Sequence, residues 1–106
     1  MRIFATKEIE CGGQVRPFKV NLFATARFCE YKGIKLSDIG SRLTDISLLD
    51  LMDFAYFAYL SAGGEETREV FMTWFDDSDL FTEFSTLLES AFTGESEPVG
   101  KPKAKR

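Results

Sequence analysis

Ser47-Leu48-Leu49-Asp50-Leu51-Met52-Asp53-Phe54-Ala55-Tyr56-Phe57-Ala58-Tyr59-Leu60-Ser61-Ala62-Gly63-Gly64 is the stretch from which the rest of the chain is read. Ser47 heads a Ser-Leu-Leu-Asp capping pattern, with Asp50 where Glu is more usual. From Leu48 to Ala62 apolar residues fall on nearly every side, and Gly63-Gly64 ends the run. A helix of that kind needs cover from neighbours or from a second chain. It predicts a central helix at 48–62, which could also serve as a homo-oligomer interface.

Upstream, Lys7 to Cys11 alternates polar and apolar residues, and Gln14 to Val20 follows the Gly12-Gly13 pair. Two short runs around Gly-Gly predict a β-hairpin, because Gly adopts the positive φ of tight turns. Ile3, Phe4 and Ala5 extend the first strand. Pro17 places the second strand at an edge or a bulge. Asn21 and Gly33 bracket a first helix of about three turns. Lys35 to Arg42 is weaker, with Ser37 as a candidate cap and Gly40 against a helix.

Downstream, Glu65, Glu66 and Glu69 favour a helix start through the helix dipole. Val70, Phe71, Trp74 and Phe75 form its stripe. Asp76-Asp77-Ser78-Asp79 breaks it and caps a last helix. That helix carries Leu80, Phe81, Phe84, Leu87, Leu88, Ala91 and Phe92 at helical spacing, and Gly94 ends it. Residues 95–106 are polar, basic and broken by Pro and Gly, which predicts disorder. The expected fold is mainly α: one small helical domain over 1–94 with an N-terminal two-stranded β-hairpin, then a disordered basic tail at 95–106.

The 106 residues suffice for one domain, and 44% hydrophobic residues with 11 Phe supply a core. The start of the chain becomes charged too soon for a signal peptide. Phe54 to Leu60, the longest apolar run, falls far short of the ~20 residues of a membrane span. The expectation is a cytoplasmic protein with no membrane partner. Cys11 and Cys29 are expected as free thiols, with Cys29 buried.

The net charge of -4 is uneven. Residues 1–64 carry +1, residues 65–89 carry -7, and residues 95–106 carry +2. An acidic body argues against nucleic acid as a partner, because phosphate binding needs a basic face.

There is no His, which removes the usual general base near neutral pH and the commonest zinc ligand. No phosphate-binding glycine motif is present. Asp76, Asp77 and Asp79 lack the order of a calcium loop and read as a solvated helix start. Asp50 reads as a cap. Asp53 reads as exposed or paired with an Arg. No enzyme, cofactor or metal site is expected. Phe71, Trp74, Phe75, Phe81 and Phe84 have two readings. They are simple core, or they are a partner-binding surface, since an apolar patch ringed by one sign of charge suits a protein interface.

The hairpin with Gly-Gly leads into Leu22-Phe23-Ala24-Thr25-Ala26-Arg27-Phe28-Cys29-Glu30-Tyr31-Lys32-Gly33-Ile34-Lys35-Leu36-Ser37-Asp38-Ile39, then Leu43-Thr44-Asp45-Ile46 and the 47–60 helix. Over residues 7–62 this pattern resembles the tail assembly chaperones of long-tailed bacteriophages and prophages. The resemblance implies a non-catalytic role in the bacterial host. There it would coat the long, hydrophobic tape-measure protein, with the tail-tube protein as a further partner. The other reading is a small acidic adaptor or inhibitor that mimics nucleic acid and binds a basic protein.

Overall fold

The computed structural model describes residues 3–76 and 78–93. The tail at 95–106, Asp77 and the stop at Gly94 lie outside the described residues.

Gly12 and Gly13 both take positive φ, 61° and 80°. Only a turn of that kind matches the twist of the strands it joins with two residues. Strand β1, Phe4–Cys11, therefore folds back on β2, Gln14–Asn21, in one antiparallel register from Cys11↔Gln14 to Phe4↔Asn21. Helix α1, Leu22–Lys32, follows with no loop. Asn21 ends the strand and caps the helix, its Oδ1 accepting the Ala24 N–H at 2.8 Å. Gly33, in the left-handed region, stops α1.

A single 3-10 turn at Leu36–Asp38 leads into α2, Ile39–Thr44. Ser37 is not its cap. The Ser47 hydroxyl accepts the Asp50 N–H at 3.1 Å and starts α3, Leu48–Ser61. Thr67 caps the short α4, Arg68–Thr73. Before α5, Leu80–Thr93, the Ser78 hydroxyl donates to the Trp74 carbonyl and accepts the Leu80 N–H.

One face of the hairpin carries the helices: α3 lies against β2, α5 against β1, and α1 against α3. Ala5, Ile9, Cys11, Phe18 and Val20 point into the layer between them. There they meet Phe28, Phe54, Phe71 and Phe84 in one continuous core. Phe18 sits at the centre, with ring centroids 5.6 Å from Tyr59, 6.1 Å from Phe71 and 6.2 Å from Phe84.

The expected fold class, mainly α with a small hairpin, is corrected to α+β. Each strand runs eight residues, and the hairpin forms one of two packed layers rather than an appendage. The physical reason is period-two alternation on both strands, which turns Ala5, Ile9, Cys11, Phe18 and Val20 together onto the helices. The central α3 departs from expectation too. Leu51, Phe54, Ala55, Ala58 and Tyr59 are buried, but Leu48 and Leu49 at its start are exposed. No helix among the described residues is long and apolar enough to cross a membrane.

Candidate functional site

The five aromatics expected to bind a partner do not share a surface. Phe71 and Phe84 are fully buried, at 0% exposure. Phe71 lies at the centre of a ring cluster with Tyr59, Trp74 and Phe75 at 5.4–5.6 Å. Phe84 reaches across to Phe18 and Phe54. Trp74 is buried on the hairpin turn, and Phe75 is half-buried against Phe71. Phe81 alone is exposed, at 45%. The helical spacing of 81 and 84 put both on the apolar stripe of α5. The hairpin covers only the Phe84 side.

Around Trp74 the hairpin is tied down by polar groups. Arg16 lies on the inner face opposite Ile9 and stacks its guanidinium 4.1 Å from the indole centroid. The same side chain donates to the Cys11 carbonyl at 2.9 Å, the Gly12 carbonyl at 3.2 Å and the Tyr59 hydroxyl at 3.1 Å. It also pairs with Glu66 at 3.3 Å. Tyr59 donates to the other Glu66 oxygen. Burial first, and the Glu66 bond second, raise the Tyr59 hydroxyl above its ordinary pKa. The Tyr59 bond chiefly holds Glu66 below the carboxylate range. A Cβ built on Gly12 would fall 2.5 Å from the indole, so the turn and Trp74 fit only without a side chain there.

A second polar cluster joins α1, α3 and α4. Asp53 is buried at 1% exposure. Its Oδ1 accepts from Arg68 Nε at 2.8 Å, and Lys32 Nζ stands 2.9 Å from Oδ2. The Lys32 contact is an ion pair without an aligned hydrogen bond to Oδ2. The Arg partner matches one expectation for Asp53, while the alternative of exposure is overturned because α1 and α4 close over it. Lys32 also pairs with Asp50 at 2.8 Å, which raises the lysine and holds the Asp50 carboxyl low. These carboxylates have cation partners. Among the described residues, no group of three or more Cys, Asp or Glu could hold a metal ion. Cys11 and Cys29 are both free and buried. Burial pushes the Cys11 thiol up to about 11, against the pull of Arg16, and raises Cys29 as well.

The open site is at the other end. The 3-10 turn, α2 and the start of α3 form one wall of a groove, and α5 forms the other. The groove encloses about 840 Å³. Leu36, Ile39, Leu43, Ile46, Leu48 and Leu51 line the first wall, and Phe81, Ser85, Leu88, Glu89 and Phe92 the second. Residues 81, 85, 88 and 92 follow one face of α5, spaced as a helix requires. On the facing wall α2 has only six residues, too short to fill the space beside them. Leu36, Leu48 and Phe81 all stand exposed at its mouth. Among the described residues, Glu89 is the single ionisable group in the lining. Of the lining hydroxyls, Ser85 stands one helical turn from Glu89, while Ser37, Thr44 and Ser47 belong to the facing wall. The mainly apolar lining suits apolar side chains.

Of this groove the sequence pointed to Phe81 among the partner-binding aromatics, and to Leu48 and Leu51 within the 48–62 helix read as a possible oligomer interface. A further signal was the exposed Leu48-Leu49 pair, placed directly after the capping Ser47 on a helix apolar all round. No family model matches the chain, and neither a curated protein nor a solved structure matches it.

Proposed function

We propose that this chain is a non-catalytic tail assembly chaperone that holds an apolar helical segment of a tape-measure protein in the groove between α2 and α5. The observation that carries this reading is the groove itself, an apolar trough about 840 Å³ in volume whose lining, among the described residues, holds one ionisable group. An amphipathic helix lays i, i+3, i+4 and i+7 side chains into such a groove. Exposed apolar surface beside an acidic body is what a soluble holder of apolar segments needs. The pattern over residues 7–62 supports the same role, with the tail-tube protein as a second partner and the bacterial cytoplasm as its place.

The test is co-expression of the tagged chain with the tape-measure protein of the same prophage, followed by capture at high salt. Retention at high salt is expected, with loss in Leu48→Glu and Phe81→Glu. Release of every partner at moderate salt, with a basic protein as the main prey at low salt, would replace this reading with the acidic mimic.

A further inference from the structure

The hairpin is a sheet of two strands, so each strand has one open edge. The two edges are not equivalent. The two-residue turn makes Cys11 and Gln14 a hydrogen-bonded pair. Antiparallel pairs alternate, so Ile9↔Arg16, Lys7↔Phe18 and Ala5↔Val20 also exchange both bonds. The pairs between them, including Glu8↔Pro17, turn their N–H and C=O groups outward. Pro17 therefore lacks a donor on the outer edge of β2 and breaks that edge. On β1 the outward residues are Phe4, Thr6, Glu8 and Glu10, all exposed, none of them Pro. Among the described residues they make no backbone bond outside the hairpin.

A trough of about 970 Å³ runs along this edge. Five consecutive β1 residues, Lys7 to Cys11, line one side. A lining that includes both inward-facing and outward-facing residues lies beside the strand rather than over either face. Thr73, Trp74, Ser78, Asp79 and Glu83 form the opposite side. Among the described residues, the lining carries four carboxylates, Glu8, Glu10, Asp79 and Glu83. The one cation among the described lining residues, Lys7, is already paired with Glu83.

From this placement we infer that the β1 edge is a docking site for an extended, basic peptide segment of a partner protein, which adds a third strand to the hairpin. The strand would take its main-chain bonds from Thr6, Glu8 and Glu10, with Lys or Arg at alternate positions facing the carboxylates. Main-chain pairing supplies affinity, and the side-chain alternation supplies selectivity. This surface and its partner are separate from the apolar groove, on the opposite side of α5's first turn from Phe81.

The probe is a fluorescent peptide alternating lysine and threonine over about ten residues. It is titrated into the full chain by fluorescence polarisation, with backbone hydrogen exchange followed by NMR. Saturable binding is expected, with amide exchange at Thr6, Glu8 and Glu10 slowed by about tenfold or more. A peptide with aspartate in place of lysine should not bind. Thr6→Pro removes one outward donor and leaves the hairpin bonds, as Pro17 does on β2, and should weaken binding about tenfold or more. Glu10→Lys tests the charge without touching the backbone and should weaken it as well. Absence of saturable binding would overturn the proposal. So would unchanged affinity in both variants, or protection that falls on Val15 and Lys19 instead. Protection of Thr6, Glu8 and Glu10 already present in the chain without peptide would assign the edge to this chain's own sequence or a second copy, and would overturn it too.

Discussion

At the hairpin end, Phe18, Tyr59, Phe71 and Trp74 lie ring against ring, and Arg16 and Glu66 close the cluster with hydrogen bonds. At the α2 end, Leu36, Leu43, Leu48 and Phe81 are just as apolar, yet the leucines face Phe81 across open space. Both ends draw on the same residue types. The hairpin end has a second layer and polar groups that reach over its edge. The α2 end has six helical residues and a 3-10 turn, too little backbone to cover its leucines. Apolar density therefore says where burial is available, and backbone length and polar closure decide where it is completed.

The strongest way to break this contrast is Phe18→Ala. It empties the centre of the closed end and should cost about 3–5 kcal/mol in urea unfolding. A loss below about 1 kcal/mol would mean that the hairpin is not a core layer. Next comes Lys32→Met, which takes one of two cations from the buried Asp53 carboxylate. A loss of about 2 kcal/mol is expected, because Arg68 remains. Met keeps the length of the stem, so the packing change is small.

A smaller effect should appear on acidification. Lys32 holds the Asp50 carboxyl below its ordinary pKa in the folded chain. That contribution is present above the unfolded carboxylate pKa and is lost as pH falls through the lower, folded value. The urea midpoint of the native chain should therefore drop on the acid side, and Lys32→Met should flatten part of that drop. The smallest stability change belongs to the open end. Leu48→Glu and Phe81→Glu should shift unfolding by no more than about 0.5 kcal/mol, since both side chains already meet water. Client capture should nonetheless be lost. A large destabilisation from either change would show the groove to be core.

Much of the backbone was legible because its signals are local. Gly12-Gly13 marked the turn, Asn21 and Gly33 bracketed α1, Ser47 opened α3, and the spacing from Leu80 to Phe92 drew α5. The weight of the hairpin was not legible. Whether Ile9, Cys11, Phe18 and Val20 form a layer depends on which helices lie over them, and alternation alone leaves that open. The candidate site was legible at Phe81 and, through the 48–62 helix, at Leu48 and Leu51. Phe81 and Phe84 are three positions apart on the same stripe, and only the position of the hairpin decides which one faces out. Arg16, Tyr59 and Glu66 were missed for a related reason: they meet across 43 and 50 positions of chain.

Trp74 is the single tryptophan of the chain. It sits under Gly12, beside a guanidinium and away from the apolar groove. The molecule thus carries its own optical reporter. Intrinsic emission reads the docking of the hairpin tip, because lifting the turn exposes the indole to water and removes the cation from its face. A client seated between α2 and α5 should leave that emission unchanged, whereas a strand laid along β1 beside Trp74 should alter it. One unlabelled sample can therefore tell which of the two surfaces a given partner has occupied.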